Sequence, residues 1–303
     1  MKKTFKFIFT LSLSVATAAF LGSCGNSSDK KNETEHHEGD GHDHAKEGHD
    51  HAEGEEHHHG SDENYSTQLK TAPESPQAGQ EVMLLLTPKL KKDEKAEVPL
   101  EVNHEKKMHL IAVSEDLSTF QHLHPEYQAS GSYDVKATFP TGGKYLLFAD
   151  YKPSEGGEVA DKLPIIVGGK ANATTSYSAE KLTWTNNGLS LTLQTKSGKF
   201  VTGKEQHING LLTQDGRTLK VETLENYLGA KAHVVMIEMA DKDYVHVHPG
   251  TENGNFHLHV TFEHAGMYRA WIQFVVNGKV QVADFVLNVV KSDGKTDSAE
   301  HKH

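Results

Sequence analysis

The pattern His-x12-His-x-His-Pro occurs twice in the chain, as His109, His122 and His124 before Pro125 and as His233, His246 and His248 before Pro249. Neutral imidazole binds borderline divalent cations. Three imidazoles with an open fourth position suit Zn(II), and imidazole-rich sites also hold Cu(II). The spacing fits a β-hairpin. In the first copy a turn at residues 114–118 reverses the chain, and His122 and His124 share one face of the returning strand because residues two apart point the same way. Folding about position 116 sets His109 opposite position 123, where cross-strand side chains lie about 5 Å apart. The same arithmetic, with a turn near Asp241-Lys242-Asp243, gathers His233, His246 and His248. Each copy is therefore expected to form its own site for Cu(II) or Zn(II). The competing expectation is structural: His-x-His-Pro ends a strand, the proline blocks further pairing, and the ring nitrogens bond loop carbonyls.

Asp161 and Asp284 recur at aligned positions and would complete a coordination shell or orient an imidazole through its other nitrogen; a plain turn role competes. In the second copy His257 and His259 alternate with apolar neighbours, where the first copy has Asp134 and Lys136. That face reads as solvent-exposed, although with His264 nearby it would give the second copy extra metal capacity. His104 and His207 have no histidine counterpart and are assigned to no site.

The elements that must position these residues come from a duplication. Shifting the sequence by 124 residues superimposes Gly79-Gln80-Glu81 on Gly203-Lys204-Glu205, Lys107-Met108-His109 on Lys231-Ala232-His233, and His122-Leu123-His124-Pro125 on His246-Val247-His248-Pro249. A one-residue deletion then aligns Gly143-Lys144-Tyr145 with Gly266-Met267-Tyr268, and Val159-Ala160-Asp161 with Val282-Ala283-Asp284. The units run over 66–169 and 176–291. Their apolar residues fall in short runs, such as 82–86, 110–113 and 145–149 in the first and 189–193, 234–237, 256–260 and 270–276 in the second. Runs of this length rich in Val, Ile, Tyr and Phe between Gly, Pro, Asn and Asp clusters are strand signals, and no stretch shows a helical period. The expected fold is all-β, with two tandem immunoglobulin-like β-sandwich domains.

Ahead of the units, basic Lys2, Lys3 and Lys6 precede an apolar run at 7–21 that ends in Leu21-Gly22-Ser23-Cys24. This order reads as a secretory signal over 1–23, shorter than the ~20 apolar residues of a spanning helix. Its last four residues resemble a bacterial lipobox, in which Cys24 carries the lipid and anchors the protein in a membrane. Because Cys24 is the only cysteine, no disulfide supports the fold, although an exporting compartment would permit one. Gly25 lacks the aspartate that retains many lipoproteins at the inner membrane, so the outer membrane is the expected location. Loss of the three lysines takes the formal net charge from -11 to about -14, which argues against nucleic acid as a partner and favours cations. Residues 24–65 carry His36, His37, His42, His44, His49, His51, His57, His58 and His59 among Asp, Glu and Gly. Such a composition cannot offset its ordering entropy, so a disordered tether is expected, either a weak multivalent metal site or a solvating stalk. A disordered tail is expected over 292–303.

The segment at 107–151 contains His-Leu-Ile-Ala-Val-Ser-Glu-Asp-Leu, then His-Leu-His-Pro, then Phe-Pro-Thr-Gly-Gly-Lys-Tyr-Leu-Leu-Phe-Ala-Asp-Tyr. It resembles a group of secreted bacterial β-sandwich proteins loosely similar to YtkA-like domains. The second unit resembles them less closely, with Trp271-Ile272-Gln273-Phe274 where the first has Phe148-Ala149-Asp150-Tyr151. The resemblance implies an envelope protein that handles copper or another heavy metal, with a metal efflux or cuproprotein assembly system as partner. It does not extend to methionine-rich copper(I) carriers, since Met108 has no methionine counterpart in the second unit. The function expected is metal buffering or transfer by an envelope lipoprotein; the alternative is a non-catalytic adhesion or scaffold module with structural histidines. A metallohydrolase would need a carboxylate general base beside a metal-bound water, and the chain contains neither His-Glu-x-x-His nor a nucleophile elbow.

Overall fold

The computed structural model describes residues 56–57, 62–103, 105–247 and 249–292. The signal segment, Cys24, the tail, His248 and the tether residues His36, His37, His42, His44, His49, His51, His58 and His59 lie outside the described residues. A short strand, β1 (Glu56–His57), comes first. The first unit then runs β2 (Tyr65–Ala72), β3 (Glu81–Leu90), β4 (Met108–Ser114), β5 (Phe120–Leu123), β6 (Glu126–Tyr127), β7 (Tyr133–Thr138), β8 (Gly143–Tyr151) and β9 (Val159–Val167). The second runs β10 (Thr183–Asn186), β11 (Leu189–Thr195), β12 (Phe200–Val201), β13 (Glu205–Gln214), β14 (Arg217–Thr218), β15 (Ala232–Glu238), β16 (Tyr244–Val247), β17 (Gly250–Glu252), β18 (Asn255–Thr261), β19 (Gly266–Val276) and β20 (Lys279–Val290), interrupted by one 3-10 turn at Val221–Thr223. The chain is all-β, two tandem immunoglobulin-like sandwiches. In the first, sheet β2-β3-β7-β6 faces sheet β5-β4-β8-β9, the two-sheet division of an immunoglobulin domain. In the second, β10-β11-β13-β18-β17 faces β1-β16-β15-β19-β20-β12.

Alternation explains the outer sheets. Along β18 Phe256, Leu258 and Val260 are buried while His257 and His259 between them are partly exposed, so one face meets the core and the other meets water. Asn253-Gly254 and Asn277-Gly278, both residues of each pair at positive φ, close the β17–β18 and β19–β20 hairpins; Asn-Gly suits this two-residue turn, whose backbone twist matches the strands it joins. Glu56 and His57 pair with Val247 and His246. The segment expected to be a structureless tether therefore contributes a strand at these two residues, and covers backbone groups that the edge strand β16 would otherwise expose.

Two central strands break the alternation. Every residue of β4 and of β15 is buried. Met108, Leu110 and Ala112 enter the core of the first sandwich, and Ala232, Val234 and Met236 that of the second. The residues between them form a third core, in which Ile111, Val113, Leu117 and Phe148 pack with Val235, Ile237, Tyr244 and Trp271. The two units thus stack with the outer faces of their β4 and β15 sheets together. Equivalent contacts recur in both directions: Phe120 stacks on Trp271 at 4.6 Å and its counterpart Tyr244 stacks on Phe148 at 4.7 Å. A homodimer with a two-fold axis meets itself this way, residue i touching j and j touching i; here the duplication supplies both halves in one chain. The connecting segment is tied to the rim, with Thr175 N–H donating to Asp116 Oδ2 at 2.8 Å and Tyr177 lying under the Arg269 guanidinium at 4.2 Å.

Because Trp271 sits in this third core, 3% exposed, Trp271→Ala should cost about 3 kcal/mol of unfolding free energy in urea denaturation, whereas the same change at the half-exposed Tyr127 should cost less than about 1 kcal/mol.

Candidate metal centre

The histidines lie at one end of the third core, and the hairpins explain how they reach it. In the β4–β5 ladder Ile111 is opposite His122 and Leu110 opposite Leu123, so His109, His122 and His124 all project on the face that carries Ile111 and Val113. The turn before β5 is held by its own polar groups: Ser114 Oγ and Ser118 Oγ each donate to Asp116 Oδ1 at 2.7 Å. Burial would raise the Asp116 carboxyl, but hydrogen bonds from Ser114, the Thr175 N–H and Ser118 outweigh it and hold it at about 2. In the second unit Val235 is opposite His246, which puts His233 and His246 on the face of Val235 and Ile237.

The first triad converges as the spacing predicts, with ring centroids 5.3 Å apart for His109–His122, 5.1 Å for His109–His124 and 4.6 Å for His122–His124. The histidines of the two units do not lie apart. Across the interface His109 lies 5.9 Å from His233 and 5.3 Å from His246, and His122 lies 5.4 Å and 5.8 Å from the same two rings. The reason is the double-sided burial of β4 and β15, which turns both histidine faces inward toward one another. Two sets of three rings offer nitrogens all within 4.8 Å: His109, His122 and His124, and, bridging the units, His109, His233 and His246.

Hydrogen bonds to groups that can only accept fix the tautomers. His109 Nε2–H donates to Asn103 O at 3.1 Å, and His233 Nε2–H donates to the carbonyl at the equivalent position, Tyr227 O, at 2.9 Å. His246 Nδ1–H donates to Asp150 Oδ2 at 2.8 Å, beside the Tyr244 hydroxyl that donates to the same oxygen at 3.0 Å. A neutral ring with one nitrogen protonated presents a lone pair at the other. His109 and His233 therefore present Nδ1, and His246 presents Nε2. His122 mirrors His246: its Nδ1–H donates to Gln273 Oε1 at 2.7 Å, and Gln273 is the counterpart of Asp150. With the amide in this orientation His122 Nε2 holds a lone pair 3.0 Å from His109 Nδ1. Two nitrogens bound to one Zn(II) at ~2.0 Å in tetrahedral geometry stand roughly 3.3 Å apart, a separation close to this one. His124 Nε2 is buried with no hydrogen-bond partner among the described residues. Asp150 is 3% exposed, and its hydrogen-bond partners are His246 and the Tyr244 hydroxyl.

Burial lowers the pKa of His109, burial and then the neighbouring rings His246, His109, His124 and His233 push His122 well down, and burial with His109 and His233 beside it takes His124 to about 3. The rings are consequently neutral at pH 7, the form that binds metal.

The carboxylates chosen from the sequence do not orient these rings. The β8–β9 ladder pairs Ala149 with Asp161, whereas the β19–β20 ladder pairs Ile272, the counterpart of Ala149, with Ala283. The true counterpart of Asp284 is Lys162. Aligning Val-Ala-Asp with Val-Ala-Asp slips the strand by one residue, and a one-residue slip exchanges the two faces. Asp284 pairs with Lys181 at 2.6 Å and Arg269 at 3.0 Å, while Asp161 lies on the strand face of Val159 and Val167, which line the first core. The orienting groups are instead Asp150 and Gln273. Their signal was the Phe-Ala-Asp-Tyr and Trp-Ile-Gln-Phe correspondence, two polar residues at one position of a buried strand. A second gathering involves a residue left out on sequence grounds: His207 joins His257 and His259 on the outer face of the second sandwich. His264 stands apart from it, bonded to Asp243 at 2.5 Å.

The chain belongs to the family described as a domain of unknown function, DUF8832, which matches residues 49–163 and 184–291 and so covers both copies of the duplicated unit. No curated protein matches the sequence. Among solved structures it is similar to the Escherichia coli adhesin FdeC (15% identity, 74% of this chain and 63% of that one, TM-score 0.24). It is also similar to the Yersinia pseudotuberculosis adhesin InvE (12% identity, 75% and 60%, TM-score 0.24) and to MtrC from Shewanella baltica (7% identity, 78% and 71%, TM-score 0.25). The chain spans about three fifths of the length of the two adhesin chains. Scores this low leave function to be argued from the site.

An unfolded imidazole titrates near 6.5 and these folded ones lower, so below about pH 6.5 the unfolded state binds more protons than the native state. Metal-free protein should keep constant stability above that pH and lose it on acidification toward the folded values, by at most about 1.4 kcal/mol per pH unit for each ring. Thermal melts in chelator between pH 7.5 and pH 5 read this directly. His124→Gln should make the fall shallower, and a flat profile in the parent chain would contradict burial of neutral rings.

Proposed function

We propose that the chain is a non-catalytic envelope lipoprotein that binds Cu(II) or Zn(II) in one composite histidine centre shared by its two sandwiches, for metal buffering or transfer. The observation that carries the reading is the tautomer set: backbone carbonyls and a buried carboxylate hold one nitrogen each of His109, His233 and His246, and these three rings offer ligand nitrogens within 4.8 Å of one another. Metal-bound histidines commonly donate their second N–H to a carbonyl or carboxylate in this way. His122 and His124 extend the centre, and His248 belongs to it by sequence. The buried Asp150 would offset part of the charge of a bound dication. The signal segment and lipobox support export and anchoring through Cys24, with Gly25 favouring the outer membrane. The tether histidines would capture metal weakly and deliver it to the tighter centre, and the resemblance to YtkA-like proteins favours a metal efflux or cuproprotein assembly system as partner.

A second reading is favoured by the same hydrogen bonds. They satisfy one nitrogen of each of His109, His122, His233 and His246 within the protein, as residues that merely glue two modules of an adhesion scaffold would be satisfied.

Titration of Cu(II) and of Zn(II) into the chain with its tether histidines changed to Gln separates the two. The metal reading expects one tight equivalent fewer in His109→Gln/His246→Gln than in this parent, and that equivalent weakened about 10- to 100-fold by the isosteric Asp150→Asn. Equal numbers of equivalents tighter than about 0.1 mM, roughly -5.5 kcal/mol, in parent and double variant return the buried histidines to a structural role and leave the scaffold reading.

A further inference from the structure

The outer sheet of the second sandwich carries a histidine gathering that the composite centre does not use. His207 on β13 lies directly opposite His259 on β18, and Asn209 opposite His257. The alternation that buries Ile208, Phe256, Leu258 and Val260 sends His207, His257 and His259 to the solvent side. Their ring centroids are 5.3 Å apart for His207–His257, 4.5 Å for His207–His259 and 4.8 Å for His257–His259, with one nitrogen from each ring within 4.8 Å of the others.

Acceptors surround the rings: His257 Nδ1 donates to Asn209 Oδ1 at 2.9 Å and His259 Nδ1 to Glu205 Oε1 at 3.3 Å. Glu252 Oε2 lies 2.8 Å from His257 Nδ1, while the two oxygens of Glu205 lie 3.3 Å from His259 Nδ1 and 3.3 Å from His207 Nε2. A carboxylate only accepts, so these three nitrogens carry the protons of the neutral rings. The lone pairs then sit on His207 Nδ1, His257 Nε2 and His259 Nε2. Two of them, His207 Nδ1 and His257 Nε2, stand 3.1 Å apart, a repulsive contact unless a cation or an added proton lies between. A carboxylate behind a metal-bound histidine is a recurrent metal-site arrangement, and each of these rings has a carboxylate oxygen within 3.3 Å of one nitrogen.

The first unit shows what the same place looks like without a site. There the counterparts of His207, His257 and His259 are Met83, Asp134 and Lys136, with the Lys136 ammonium 2.8 Å from Glu81, the counterpart of Glu205. A fixed cation occupies the carboxylate, and no imidazole is present.

We propose that His207, His257 and His259, oriented by Glu205 and Glu252, form a second divalent transition-metal site on the second sandwich alone. Its ligands are three imidazole nitrogens with the remaining positions open to water or to an exchanging ligand. Such a donor set favours Cu(II) among the divalent first-row ions. Its rings lie on the solvent side of the outer sheet, which suits rapid capture. The site stands on its own residues and does not depend on the composite centre binding anything.

The test is Cu(II) titration of the full chain beside His207→Gln/His259→Gln, following bound equivalents and the nitrogen hyperfine pattern of the Cu(II) electron paramagnetic resonance spectrum. The double variant is expected to bind one equivalent fewer, to lose a multi-imidazole signal, and to melt at the same temperature because these side chains are solvent-facing. Glu205→Gln should weaken that equivalent at least tenfold. Equal stoichiometry and equal spectra in parent and variant would overturn the proposal. Loss of the equivalent in the double variant upholds it even if His109→Gln/His246→Gln changes nothing, so failure here and failure of the composite centre are read separately.

Discussion

Burial of β4 and β15 on both faces is the constraint from which the centre follows. A sandwich strand ordinarily gives one face to its core and the other to water, and polar residues are cheap on the second face. In these two strands that second face lies against the other unit. A histidine there leaves water and must find its hydrogen bonds inside the protein, because an unsatisfied buried polar group costs about 1–3 kcal/mol. Asn103 O, Tyr227 O, Asp150 and Gln273 provide those bonds. The satisfaction of one nitrogen per ring is also what dictates where the remaining lone pairs gather. Packing and tautomer are thus one problem with one solution at this interface.

Duplication gives the interface its near two-fold character, and the departures from symmetry are chemically directed. The bond from His246 ends on a carboxylate, the equivalent bond from His122 on an amide. One buried negative charge beside a group of neutral rings lowers the cost of bringing in a dication, while two at this depth would repel each other. The outer sheets diverged further. Lys136 and Glu81 form an exposed ion pair in the first unit, of the kind worth little to stability, and the second unit replaces the ammonium with imidazole and keeps the acid. The carboxylate that meets an ammonium in the first unit meets imidazole in the second.

The all-β class, the tandem sandwiches and the hairpin that joins His109 to His122 and His124 were legible in the sequence, because they are governed by local signals: period-2 alternation, turn residues and the spacing of the histidines. The failures also have local causes. Val-Ala-Asp in both copies suggested equivalent carboxylates, but the ladders set Asp161 and Asp284 one residue out of step, and in a strand one residue is the difference between two faces. His207 carried no signal of its own, since its partners His257 and His259 lie 50 residues on and meet it only through the β13–β18 pairing.

What the sequence determined by itself was therefore the content of each unit: which segments are strands, which faces are apolar, and which three histidines travel together. Only the tertiary structure decided that His233 and His246 meet the first triad. The apolar runs at 110–113 and 234–237 marked strands, and the structure buries both of their faces. Periodicity reports burial, however, and is silent about what does the burying. The identity of the covering surface, here the chain's own second copy, is a long-range fact fixed by the fit of Phe120 on Trp271 and Tyr244 on Phe148, which no window of sequence contains.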